Sequence, residues 1–271
     1  MRNLVAAVLF LGSAFSACAS GRDLPRFDHI VVVIEENHSF SQVAESAYFA
    51  DLASRGALFR RSYAVTHPSQ PNYVALFSGS TRGITNDAHH DLRGSNLASS
   101  LAAAGLSFAS YCEDLPYVGF RGDASGPYVR KHNPAAIFAD VPGADNQPLT
   151  AFPTDFAKLP TVSFVIPNFK NDMHDGSVAT GDAWLRAHID SYSRWAASHN
   201  SLLIVTFDEG RDSLPPADTP IFTVLVGARV RPGPSDQPIT HYSILRTMED
   251  MYGLSPIAED GKAQPISGIW Q

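Results

Sequence analysis

Apolar runs without polar alternation recur along the chain, and stretches with apolar residues three and four apart lie between them. The first run, Ile30-Val31-Val32-Val33-Ile34, has the pattern of a strand covered on both faces. With its flanks it predicts a strand over 29–35, and similar runs predict strands over 106–112, 161–166, 201–207 and 220–226. Helices are predicted over 47–56, 72–77, 96–105, 182–199 and 242–252. In the fourth of these, Trp184, Leu185, His188, Ile189, Tyr192 and Trp195 form a one-sided stripe, which is core packing rather than a cofactor face. Strands alternating with helices predict an α/β fold with parallel strands joined by crossover helices. Residues 115–154, rich in Gly, Pro and Asp, read as a long excursion over the sheet. Long ordered loops tend to carry function, so leaving-group specificity is expected there.

With 271 residues, 44% of them hydrophobic, and no internal repeat, residues 20–271 are expected to form a single domain. The net charge of -7, without a basic block, argues against nucleic acid as the partner. Ten His and two Cys move attention to His, Asp and Glu, since two Cys cannot build a disulfide framework. At the N-terminus, Arg2, an apolar run over 4–11 and then Ser13-Ala14-Phe15-Ser16-Ala17-Cys18-Ala19-Ser20 follow the order of a secretory signal. The run is too short to span a bilayer, and no later one is long enough for a transmembrane segment. Cleavage after Ala17-Cys18-Ala19 would make 1–19 the signal peptide of a secreted or periplasmic protein. The alternative is lipid attachment at Cys18, since Phe15-Ser16-Ala17-Cys18 is similar to a lipobox, giving an outer-membrane lipoprotein. Either route leaves Cys112 as the free thiol.

In open α/β sheets ligands sit at the carboxyl ends of the strands. There the chain places Glu35-Glu36-Asn37-His38-Ser39, Asp208-Glu209-Gly210, and Asn168 followed by Asn171-Asp172-Met173-His174-Asp175-Gly176. So many converging acidic oxygens repel one another unless a cation sits among them. Calcium, magnesium, manganese, iron and zinc all suit such donors. A nucleophile candidate lies in Thr66-His67-Pro68-Ser69-Gln70-Pro71-Asn72. Ser69 stands where a helix can start, which makes it an N-cap, a nucleophile, or both; a helix N-terminus favours an anion such as a phosphoryl group. Thr66 is the rival hydroxyl, and His67 beside them is either structural or part of the site.

The residues from Asp28 through Ile34-Glu35-Glu36-Asn37-His38-Ser39-Phe40 resemble the opening signature of the bacterial phosphoesterase family, which includes phospholipases C and secreted acid phosphatases and belongs to the alkaline-phosphatase-like superfamily. Ser69-Gln70-Pro71-Asn72 resembles its nucleophile motif and Asp208-Glu209-Gly210 its later metal-binding turn; Gly181-Asp182-Ala183-Trp184-Leu185 and Thr240-His241-Tyr242 follow in the family's order. Glu113-Asp114-Leu115-Pro116, Arg130-Lys131-His132 and Val165-Ile166-Pro167-Asn168 are nearer to the short secreted acid phosphatases of the mycobacterial type, which act on phosphatidylinositol 3-phosphate.

The resemblance implies a three-layer sandwich with a mostly parallel central sheet. It implies that Glu36, Asn37, Asp208 and Glu209 hold a divalent metal ion together with Ser69, the nucleophile, which would pass through a phosphoseryl intermediate. His174, with Asp172 or Asp175, and His241 would form either a second metal site or a cluster that binds phosphate and protonates the leaving oxygen; protonated histidines would suit acidic pH. Asn86 would donate to a phosphoryl oxygen, and Lys131 and His132 are further phosphate contacts. One departure is Glu209, which stands where the superfamily usually has His, so a single essential metal is expected, with a second still open. The implied function is a secreted, metal-dependent acid phosphatase acting on phosphate monoesters, a phosphoinositide head group at a membrane surface among them. The alternative is a phospholipase C-type phosphodiesterase, which the short chain disfavours. An anion-binding protein without catalysis would need two lobes and a hinge and would have no use for a hydroxyl aimed at the metal.

Overall fold

The computed structural model describes residues 24–210 and 214–271; the export signal expected over 1–19, with Cys18, lies outside the described residues. In chain order the elements are β1 (His29–Glu35), α1 (Phe40–Val43), α2 (Ala47–Arg55), β2 (Ala57–Tyr63), α3 (Ser69–Ser78), α4 (Leu97–Ala103) and β3 (Phe108–Cys112). A hairpin of β4 (Ala124–Ser125) and β5 (Tyr128–Val129) follows, then α5 (Pro134–Ile137), β6 (Asn146–Pro148), β7 (Val162–Ile166), α6 (Val178–Ala196) and β8 (Ser201–Phe207). The chain closes with β9 (Ile221–Gly227), β10 (Gly233–Ser235), β11 (Ile239–Thr240) and α7 (His241–Tyr252).

All strands but the hairpin join one sheet in the order β10-β2-β9-β8-β1-β7-β3-β6, with β11 also on β2. The run from β8 to β6 is parallel, and β9 is antiparallel to both of its neighbours. Side chains of β1 alternate between two cores, as pleating requires. Ile30, Val32 and Ile34 pack with α3, α4, α5 and α7, whereas Val31 and Val33 pack with α1, α2 and α6. The fold is therefore the mostly parallel α/β sandwich of three layers expected above, with β1 at the centre and β7 and β8 on its flanks.

The differences from the sequence-based expectations have local causes. β2 escapes the apolar pattern because Arg60 and Arg61 interrupt it; both are exposed on a strand near the sheet edge, and Arg60 pairs with Asp236. The helix that carries Ser69 begins at that residue rather than at residue 72, with Pro71 in its first turn, where its missing N–H costs nothing. The α6 helix begins at Val178 rather than at 182, because the Ser177 hydroxyl accepts from the Thr180 amide. The Asp182 carboxylate instead accepts from the Tyr48 and Phe49 amides at 2.8 and 3.1 Å, capping α2. The excursion over 115–154 is ordered into short elements.

Behind the sheet, Glu249 on α7 is buried against the carboxyl of buried Asp260. Burial, and then the neighbouring Asp260, push its pKa from an ordinary 4.5 up to about 10. A carboxyl whose folded pKa is raised contributes stability that is complete below the unfolded value and is lost as pH rises through the folded one. Glu249→Gln is therefore expected to raise the Tm at pH 8 by about 3 °C or more and to change melting little at pH 4. Equal shifts at both pH values in thermal unfolding would count against a carboxyl kept protonated.

Candidate active site

The carboxyl ends of β1, β7 and β8 are knitted together by backbone. The Glu36 amide donates to Asp172 O at 2.8 Å, and the Asp208 amide to Glu35 O at 2.9 Å. Asn37 sits in the left-handed region at φ 54, a conformation asparagine tolerates better than most residues. Its amide reaches Asp208 Oδ1 at 3.0 Å, which also accepts from the Glu209 amide. Across from them α3, buried along its whole length, carries Ser69 at its first position. Asn72 holds the turn that precedes it: Oδ1 accepts from the Val65 and Thr66 amides, and Nδ2 donates to Thr66 O at 2.8 Å. The Ser69 hydroxyl donates to Glu36 Oε2 at 3.0 Å and lies 3.4 Å from Glu209 Oε1, with the Asp208 carboxyl beside it.

The structure thus brings Glu36, Asn37, Ser69, Asp208 and Glu209 together in a buried pocket of oxygens. Burial raises the pKa of Glu36 well above the usual carboxylate range and that of Asp208 to about 6, against the pull of the amides that donate to it. Asn37 Oδ1 and Asp208 Oδ2 are buried with no hydrogen-bond partner. Unpartnered hard oxygens beside carboxyls that burial disfavours as anions fit a divalent cation.

A second cluster adjoins the first. His132 Nδ1 lies 2.9 Å from Asp172 Oδ2, and its Nε2 3.0 Å from Glu36 Oε1. The Tyr73 hydroxyl donates to the same Glu36 oxygen at 2.7 Å, and its ring stacks on His132 at 5.1 Å. Asp172 Oδ1 accepts from the His174 amide at 2.8 Å; the His174 ring stacks on Phe169 and puts Nε2 3.4 Å from Lys131 Nζ. Glu36, His132 and His174 offer atoms that lie within 4.8 Å of one another, a second place where a cation fits.

Two expected members stand apart. The Asp175 side chain is 61% exposed and meets His174 Nδ1 from the solvent side, so the buried carboxylate of that segment is Asp172. Buried His241 lies under Asp208: its Nε2 is 2.6 Å from Asp208 O, which only accepts, so Nε2 carries the proton and the unpartnered Nδ1 presents a lone pair. No hydrogen bond joins His241 to His174 among the described residues. Burial lowers His132 well below its usual value and His241 to about 4, which opposes the protonated form expected of His241.

Residues 42–255 match the phosphoesterase family. The chain belongs to that family. It is 46% identical to the phosphatidylinositol-3-phosphatase of Mycobacterium tuberculosis, over an alignment covering 100% of this chain and 90% of that one. It is 33% identical, over 84% of its length, to an acid phosphatase of Aspergillus fumigatus, of which it spans 55%. Its fold is shared with a Vibrio parahaemolyticus protein of the alkaline phosphatase superfamily, with a TM-score of 0.62 at 11% identity, covering 90% of this chain and 71% of that one.

Around the two clusters the phosphoesterase builds a polar entrance. Lys131 Nζ donates to Asp87 at 2.8 Å; burial opposes its charge, but that hydrogen bond and the surrounding carboxylates outweigh it and raise the pKa. Asp87 also accepts from the Gln70 amide, and Gln70 Nε2 donates to the backbone of Asn86 and Ala88. Asn86 is exposed on this loop, its Oδ1 held by the Ala88 amide at 3.0 Å. A hollow of about 250 Å3 opens here, lined by Gln70, Asp87 and Lys131. On the other side, Glu113 accepts from the Asn168 amide and from Asn171 Nδ2, bracing the segment that carries Asp172 and His174. Beyond it lies a cleft of about 530 Å3 lined by Leu115, Pro116, Leu149 and His188. Sequence reasoning had not picked out Tyr73, Gln70 or Asp87. A signal existed for Tyr73 alone, which stands four residues after Ser69 and so on the same helix face.

Proposed function

We propose that this phosphoesterase is an exported, metal-dependent phosphoric monoester hydrolase that acts through a Ser69 phosphoenzyme and takes a phosphoinositide head group as substrate. The observation that carries the reading is the Ser69 hydroxyl, buried at the start of α3 and donating to Glu36 within a nest of carboxyls. A divalent cation held by Glu36, Asn37, Asp208 and Glu209 would supply the positive charge that favours the Ser69 alkoxide and offsets the phosphoryl oxygens.

Ser69 Oγ attacks phosphorus as its proton leaves toward Glu36; the new P–O bond forms as the bond to the leaving oxygen breaks. Lys131 binds the phosphoryl group, with Asn86 on the loop beside it. His174, next to Lys131 and open to the entrance, gives a proton to the leaving oxygen, and water then hydrolyses the phosphoserine. The identity to the mycobacterial relative along the whole chain supports the phosphoinositide. So do Tyr117 and Val118, 62% and 50% exposed beside the apolar cleft, where they suit contact with a bilayer.

The test is turnover of phosphatidylinositol 3-phosphate in vesicles, beside a soluble chromogenic monoester and the matching bis-ester. Both monoesters should be cleaved and the bis-ester spared; preference for the bis-ester would make the protein a phosphodiesterase. Replacing Tyr117 and Val118 together by serine should lower vesicle turnover by about tenfold or more, since withdrawing even one apolar side chain from lipid costs about 1.5–3 kcal/mol. Turnover of the soluble monoester should stay unchanged, and equal losses on both substrates would rule out contact with the bilayer.

A further inference from the structure

The turn that leads into the nucleophile carries a histidine to which the chemistry above gives no task. His67 Nδ1 lies 2.5 Å from Glu209 Oε2, and its Nε2 lies 3.0 Å from Leu214 O. A backbone oxygen only accepts, so Nε2 meets Leu214 as a donor, and Nδ1 is the nitrogen set against the carboxylate. Glu209 Oε2 also lies 3.3 Å from Asn72 Nδ2, an amide already donating to Thr66 O at 2.8 Å and Pro68 O at 3.2 Å. Oε2 is thus committed on the side of His67, and Oε1 is the oxygen turned toward the Ser69 hydroxyl at 3.4 Å.

We infer that His67 is a positioning residue that fixes the Glu209 carboxylate, so that one defined oxygen faces Ser69 and the cation site. The inference rests on the proposed role of Ser69 and Glu209. Glu209 has a terminal torsion with a broad, roughly two-fold preference. A rotated carboxylate would present its oxygens to the nucleophile differently and turn a cation donor away. His67 also ties three separate parts of the chain together: the nucleophile turn at 66–69, the turn at 208–210 and the strand-end loop at Leu214.

The experiment uses the whole chain with His67→Leu, which has no donor, His67→Gln, whose amide takes the place of Nε2 rather than Nδ1, and His67→Asn, whose Nδ2 takes the place of Nδ1 and retains a donor toward Glu209. Three quantities are read: kcat and KM for a soluble phosphate monoester, affinity for Mn2+ alone by calorimetry, and thermal melting. Partners that orient a metal ligand contribute about 10–100-fold in affinity or activity. Losses of that size in kcat and in Mn2+ affinity are expected for Leu and Gln, with KM little changed and with Asn recovering part of them. The loss should disappear in a Glu209→Ala background, because His67 acts through that residue. A lowered Tm with kcat and Mn2+ affinity within about twofold of wild type would make His67 a structural residue and overturn the inference. If His67→Leu fails to fold, His67→Gln decides alone by the same criteria. Failure of the parent reading is distinguishable, because the wild-type protein would then neither bind Mn2+ nor cleave the monoester, and the inference would fall with it.

Discussion

Ser69→Ala is expected to lower monoester kcat by at least ~10³-fold, the scale on which removal of a nucleophile acts, in a protein that still folds. The hydroxyl is the only group removed. The α3 helix stays in place because its other nine residues are buried against the sheet and α7, and because Asn72 holds the preceding turn. An acid quench of the wild-type reaction should trap labelled phosphate on the chain, and the alanine variant should carry none. A protein that merely binds an anionic solute would keep its affinity after this substitution, so the variant separates catalysis from binding. Turnover surviving within about tenfold of wild type would move the nucleophile elsewhere. Thr66 is the next hydroxyl, but its Oγ1 donates to His67 O at 3.1 Å, away from the carboxyls.

Chelation is the second large effect, and its size should depend on pH. In the metal-free fold burial raises Asp208 to about 6 and Asp172 to about 7, from an ordinary value near 3.8. With folded pKa values above unfolded ones, these carboxyls contribute stability that is complete below about pH 4 and is lost as pH rises through 6–7. A divalent cation takes the place of those protons, and protons compete with it at low pH. At about 100 times its Kd a cation adds ~2.7 kcal/mol, which corresponds to roughly 5–10 °C in Tm for a chain of this size. The full shift is expected at pH 8 and only a small part of it at pH 5, with monoester turnover lost on chelation and restored by added metal. Melting curves with and without chelator at the two pH values check this; equal shifts, or none, would refute a cation among these carboxyls.

Much of this arrangement was legible in the sequence for identifiable reasons. A continuous apolar run such as Ile30–Val33, where no side chain faces water, marks a central parallel strand, and parallel strands put their polar ends on one edge. Glu36, Asn37, Asp208 and Ser69 could therefore be grouped from the sequence, because each follows a strand end or opens a helix, with Asp172 on the segment that β7 runs into. β2 and the reversed direction of β9 were not legible: an arginine-bearing strand near the edge loses the apolar signal, and strand direction is set by pairing partners that no local pattern encodes.

The remaining features depend on contacts between distant segments. The excursion after β3 returns to place Lys131 and His132 against Glu36 and Asp172, more than 35 positions away in either direction along the chain. Asp175 faces solvent while Asp172, three residues earlier, is buried. Burial in the packed chain lowers the pKa of His132 and of His241, and His67 meets Glu209 across 142 positions. The sequence by itself determined the fold class and the types of residue at the strand ends, since these follow from periodicity and local turn chemistry. Which of those residues touch, which stay dry, and which carry charge was decided only by the tertiary structure, because desolvation and electrostatic coupling depend on distances through space rather than along the chain.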